Sequence, residues 1–143
     1  VSGDCEITAL IQSIDLTGGY AKAGVMIRQS NNPGSPNVAL TIVDMPPPWV
    51  KMHYRPERGA LTVNVPDSLS EVSNQFSFAP PLWVRLTRTG DLFEGFVSQD
   101  QSVWSRIGFV TAPLGTDVEA GVVVTSKQTN SLYTASFDSV GVK

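Results

Sequence analysis

Between Trp83 and Trp104 the chain alternates apolar with polar or small residues in short runs. The runs are Trp83-Val84-Arg85-Leu86-Thr87-Arg88, Leu92-Phe93-Glu94-Gly95-Phe96-Val97-Ser98 and Val103-Trp104-Ser105-Arg106-Ile107-Gly108. Turn formers separate them, Thr89-Gly90-Asp91 and Gln99-Asp100-Gln101-Ser102. A period of two, closed by tight turns, is the pattern of antiparallel strands buried on one face. It predicts a β-meander in which Val84 and Leu86 enter a core while Trp83, Arg85 and Thr87 leave from the opposite face.

The same alternation recurs along the chain. Strands are expected from Cys5 to Leu16, Ala21 to Ser30, Asn37 to Asp44, Val50 to Arg55, Ala60 to Val65, Glu119 to Thr125 and Thr134 to Val142. On the fourth, Val50, Met52 and Tyr54 share one face and Lys51, His53 and Arg55 the other. Pro46-Pro47-Pro48 lacks amide donors and reads as a rigid exposed connection. Asp67 to Phe78 reads equally as one helical turn or a loop. No amphipathic helix is legible, and many short strands with Gly/Pro turns predict an all-β fold, an antiparallel two-sheet sandwich or a barrel. At 143 residues, one domain spanning 1–143 is expected, with room for a core that needs no staples.

Composition excludes several functions. A net charge of -3 argues against a nucleic-acid partner, which calls for clustered excess Lys and Arg. No apolar run reaches the length of a membrane span. One cysteine, Cys5, and one histidine, His53, build neither an internal disulfide nor a zinc-type ligand set, and Cys5 reads as a small buried apolar residue. The chain begins at Val1 with no signal-peptide pattern, so a processed product or an excised domain is expected.

Lys22 to Arg28, Trp83 to Gly90, Ser98 to Trp104, Gly121 to Ser126 and Ala135 to Val140 together resemble a bacterial family of concanavalin A-like, laminin-G-like jelly-roll domains. Such domains are often modules of secreted or surface proteins, including polysaccharide-active enzymes. The resemblance implies a two-sheet antiparallel jelly roll and an extracellular or periplasmic location. Such relatives usually carry further strands before Gly3, and a missing strand would leave an unpaired sheet edge open to homodimerisation. Gln29 stands where relatives tend to carry Glu, which removes an acid at that position.

Alternation places Arg28, Thr41, Lys51, His53, Arg55 and Arg85 on the non-core side of strands read as neighbours, with Met26, Trp83 and Thr125 beside them. The resemblance implies that this side is the concave face on which sugars or peptides lie. Cations concentrated there in an acidic protein suit a carboxylated or sulfated glycan, through charge-assisted and often bidentate bonds. The arginines serve equally well as ion-pair partners of Asp44, Glu57, Glu94 or Asp138. Trp49, after the prolines, is a stacking platform for a sugar ring or a plug for the end of the sandwich. Asp100, in Ser98-x-Asp100-x-Ser102-x-Trp104, reads as a turn-forming carboxylate.

Catalysis is less well supported. No pair of carboxylates stands at even spacing on one strand, as a jelly-roll glycosidase would need, and His53 and Tyr54 leave opposite faces. A lyase would recruit Tyr20 or Tyr133 from elsewhere. No phosphate loop or nucleophile elbow is present. No cofactor is expected. The architecture accommodates a structural calcium ion on Asp4 or Asp138, although no dense acidic loop requires one. The sequence therefore points to a non-catalytic carbohydrate-binding module for anionic glycans. The alternatives are a structural or assembly domain binding a protein partner or itself, and a polysaccharide lyase or hydrolase.

Overall fold

A computed structural model of the protein describes residues 1–45, 47–65 and 78–143. Among these residues ten strands form: β1 (Cys5–Ile14), β2 (Lys22–Arg28), β3 (Asn37–Val43), β4 (Trp49–Arg55), β5 (Val63–Asn64), β6 (Leu82–Thr89), β7 (Leu92–Ser98), β8 (Ser105–Thr111), β9 (Glu119–Thr125) and β10 (Ala135–Val142). They make two five-stranded antiparallel sheets, β10-β1-β6-β7-β8 and β5-β4-β3-β2-β9. This is the all-β jelly-roll sandwich that the alternation and the resemblance predict. Among the described residues none is helical, and no helix is long and apolar enough to cross a membrane. Pro46 and nearly all of the ambiguous stretch from Asp67 to Phe78 lie outside the described residues.

The sheets meet along the inward set of each strand. Ile7, Ile11, Leu82, Leu86 and Phe93 come from the first sheet, and Val25, Ile27, Leu40, Ile42 and Met52 from the second, all fully buried. Each such side chain contributes about 1.5–3 kcal/mol by leaving water, so this layer locks the register: a one-residue slip would turn a whole set outward. Gly24 marks the tightest approach in the second sheet. A Cβ there would stand 2.0 Å from the Leu40 carbonyl oxygen.

Three local readings are refined. Strict alternation would send Arg88 into the core. It is buried, but its guanidinium donates to the carbonyls of Gly90, Gly115 and Thr116 and closes one end of the sandwich. The Asp100 carboxylate accepts the Ser102 and Val103 amides, so β8 starts at Ser105 rather than Val103. These turn hydrogen bonds, with Ser102 the largest contributor, hold Asp100 down at about 2. The strand expected from Ala60 shrinks to Val63–Asn64, because the Ala60 amide is taken by the Glu57 carbonyl. Cys5 is buried, as its composition context implied.

Candidate functional site

Directly opposed residues of neighbouring strands share a face, so the register of the second sheet maps its outer surface in rows. The first row is Thr125, Lys22, Val43 and Trp49; the second is Val123, Gly24, Thr41 and Lys51. The third is Gly121, Met26, Ala39, His53 and Asn64, and the fourth is Glu119, Arg28, Asn37 and Arg55. Adjacent strands are about 4.8 Å apart and same-face residues along a strand about 6.8 Å, so three successive rows span about 14 Å.

A cavity of about 460 Å³ opens over the β4 and β5 side of the first three rows, within the ~300–1,000 Å³ usual for small-ligand sites. Lys22, Val43, Trp49, Lys51, His53 and Asn64 supply its sheet floor, while Tyr20, Thr62 and Lys127 enter from flanking segments. Three of the four lysines in the chain therefore line one hollow. Among the described residues no aspartate or glutamate lines it, and none of these lysines has an ion pair. The Lys51 ammonium lies over the Trp49 ring, 4.6 Å from its centroid, in a cation–π contact with the indole face.

The ammonium groups feel one another. Burial, then Lys127 and Lys51, pull the Lys22 pKa down. His53 is only 7 % exposed. Burial, followed by the fields of Lys22, Lys51 and Lys127, depresses its imidazole to about 4, so it is neutral at pH 7. The Nδ1 of His53, the indole Nε1 of Trp49 and the hydroxyl of Thr41 are buried without hydrogen-bond partners. Buried polar atoms are normally paired, and these three cluster on one face beneath three uncompensated cations. Two of the lining residues, Tyr20 (φ 61°) and Lys127 (φ 60°), hold the left-handed backbone conformation that side chains disfavour.

The structure divides the residues singled out from sequence. Trp49, Lys51 and His53 line the cavity, and Thr41 lies under it, opposed to Lys51. Arg28 and Arg55 share the same sheet face but occupy the fourth row. Arg28 is paired with Glu119 at 2.8 Å beside a smaller hollow of about 220 Å³. Arg55 donates to the carbonyls of Pro33 and Ser35 and pins the loop between β2 and β3.

Arg85 is a correction: it belongs to β6, in the other sheet, and is not a neighbour of Arg28 or Arg55. Its guanidinium is stacked between Phe96 and Trp104, at 4.8 and 4.2 Å, with Glu6 at 4.0 Å. Alternation assigns a residue to the outside of its own sheet but does not say which sheet that is. Asp4 and Asp138, the candidate calcium donors, accept the Gly90 and Ser139 amides. Among the described residues no three His, Cys, Asp or Glu side chains gather as a metal site.

Sequence reasoning did not single out Lys22, Lys127 or Asn64 as site residues, and named Tyr20 only as a recruit for a lyase. The parity of Lys22 on β2, with Gly24 and Met26, was the available signal. Lys127 and Tyr20 lie in turns, where no periodicity exists to place them.

No family model and no curated protein matches the sequence. Solved structures do share the fold. The chain superposes on a variant of the GH43 protein BlXynB from Bacillus licheniformis with a TM-score of 0.71 at 12 % identity, covering 97 % of this chain and 27 % of that one. An alginate lyase from Klebsiella pneumoniae matches at 0.61 and 15 %, covering all of this chain and 60 % of the other. A human galectin-16 variant matches at 0.51 and 17 %, with 91 % of its length covered. The chain thus spans about a quarter of the GH43 protein. At these identities the likeness is one of fold: β-sandwiches of the jelly-roll type.

Proposed function

We propose that the protein is a non-catalytic carbohydrate-binding domain for anionic glycans, acting outside the cytoplasm of a bacterium as a laminin-G-like module. The observation that carries this reading is the convergence of Lys22, Lys51 and Lys127, without a counter-charge among the described residues, around Trp49 in one cavity. A sugar ring offers C–H faces to the indole, while its carboxylate or sulfate accepts from the ammonium groups. His53 and Asn64 supply neutral polar groups to orient ring hydroxyls. The left-handed backbone at Tyr20 and Lys127 supports the same reading, since strain of this kind collects where a side chain is held for a ligand. That jelly-roll structures similar to this chain include a GH43 protein, an alginate lyase and a galectin supports a carbohydrate as the ligand class.

The test is calorimetric titration with uronate, sulfated and neutral oligosaccharides at two salt concentrations. Anionic glycans bind, neutral ones bind at least tenfold more weakly, and the affinity falls with salt because exposed charge pairs are screened beyond about 10 Å at 0.1 M. Lys22→Ala and Lys127→Ala weaken binding and flatten that salt dependence. Equal binding of neutral glycans, or none by any anionic one, overturns the proposal. Release of unsaturated or reducing ends in the same mixtures replaces a binding role with a catalytic one.

A further inference from the structure

The three lysines of the cavity are not equivalent. Lys51 lies over the Trp49 ring at 4.6 Å, and an indole face favours a charged ammonium. Lys127 is exposed, in a bend beyond β9, where water hydrates its charge. Lys22 has neither support. It is half-buried on β2, an interior strand of the second sheet, with Val43 and Thr125 directly opposed on either side. Among the described residues it has no ion pair and no ring contact.

Ammonium groups that share one hollow repel, and the one with the least compensation gives up its proton most readily. Burial adds to this, because a charge beside the Val43 and Trp49 walls loses hydration. His53 is neutral at pH 7 and offers no counter-charge. The Lys22 pKa moves in the direction these surroundings require, downward, through burial first and then Lys127 and Lys51. A lysine amine freed of its proton by burial and cationic neighbours is a nucleophile toward carbonyl carbon.

We propose that Lys22 captures small anionic aldehydes as a reversible imine, while Lys51 and Lys127 hold the anionic group of the same molecule. The unprotonated amine attacks the carbonyl carbon, and a C–N bond forms. The carbonyl oxygen takes up a proton. The carbinolamine then loses water as the C=N bond closes, so one aldehyde is consumed and one water released. No oxidant or reductant takes part, and hydrolysis reverses the step. The cavity of about 460 Å³ admits an aldehyde of a few carbons or the open-chain end of a sugar acid. Capture is stoichiometric, so it adds to a binding role without making the protein a hydrolase or a lyase. It stands apart from glycan recognition, because the amine reacts whether or not a glycan is present.

Reductive trapping on the full chain tests this. Glyoxylate, an anionic aldehyde, is added at pH 7 with cyanoborohydride, a hydride donor that turns an imine into a stable secondary amine. Peptide mass spectrometry then reads the rate of modification at each lysine. Lys143, the exposed fourth lysine, is the internal reference. Lys22 is expected to be modified at least fivefold faster than Lys143. With propanal, a neutral aldehyde, that ratio is expected to fall by half or more. Lys51→Ala and Lys127→Ala are expected to lower the ratio with glyoxylate, because each removes a cation that frees the Lys22 amine and attracts the anion. A Lys22 rate at or below that of Lys143 overturns the proposal, as does an equal ratio with the two aldehydes. Faster modification of Lys51 or Lys127 than of Lys22 overturns it as well. The wild-type rates decide even if a variant fails to fold. No glycan is present, so failure here leaves the glycan titrations standing, and their failure leaves this result standing.

Discussion

Lys51 places its ammonium 4.6 Å from the centre of the Trp49 ring, two residues away on the same face of β4. The pair holds a cation against an aromatic face, so the ring positions the ammonium that an anionic sugar would meet. Trp49→Ala removes the platform and leaves Lys51 without its ring. Affinity for anionic oligosaccharides is expected to fall at least tenfold, about 1.4 kcal/mol, and the thermal midpoint to fall as well, because the half-buried ring packs against the core. Calorimetry and a melting curve on the same sample check both halves.

His53 supplies a pH signature. Its folded pKa of about 4 lies below the ordinary 6.5 because burial and three ammonium groups oppose protonation. A base with a depressed folded pKa adds stability that is complete above the unfolded value. That stability is lost as pH falls from about 6.5 through about 4, amounting to about 3 kcal/mol by linkage. His53→Gln is expected to flatten the fall in urea midpoint between pH 7 and pH 4.5. Since an anion in the cavity offsets the ammonium fields, binding within this window is expected to take up a proton. Titrations in buffers of different ionisation enthalpy measure that uptake.

Arg85→Ala separates the two sheet faces. The guanidinium is stacked between Phe96 and Trp104 on the first sheet, so truncation is expected to cost about 1–2 kcal/mol of stability through the two lost ring contacts. Glycan affinity is expected to stay within twofold of wild type. A large loss of affinity with an intact fold would show that the ligand contacts the first sheet instead.

Gly24→Ala tests the packing that brings the site rows together. A Cβ would meet the Leu40 carbonyl at 2.0 Å and the Thr41 Cα at 2.7 Å, both backbone atoms of the paired strand. Relief requires β2 and β3 to separate, which is expected to cost about 3 kcal/mol and to lower Tm by about 10 °C. Circular dichroism melts report the loss.

Much of this molecule was legible in its residue order, for a local reason: a strand carries its own inside and outside. The alternation through Lys51, Met52, His53 and Tyr54 placed Lys51 and His53 outward before any partner strand was known, and the structure keeps them so. Asp100 was readable as a turn acceptor because its partners, Ser102 and Val103, are its own neighbours. Cys5, Ile7, Ala9 and Ile11 were core by the same period.

Tertiary structure decided whatever depends on which strands become neighbours. Arg28 and Arg85 have the same local parity, yet β2 and β6 belong to different sheets, and Arg85 ends on the far side of the sandwich from the cavity. Lys22 and Lys127 are distant in sequence and meet Lys51 only because β2 pairs with both β3 and β9. Side-chain period is a property of the backbone of one strand, and the sequence alone determined it. Strand order follows from how all the inward faces share one core, so a site built across four strands and three flanking segments exists only once that core has formed.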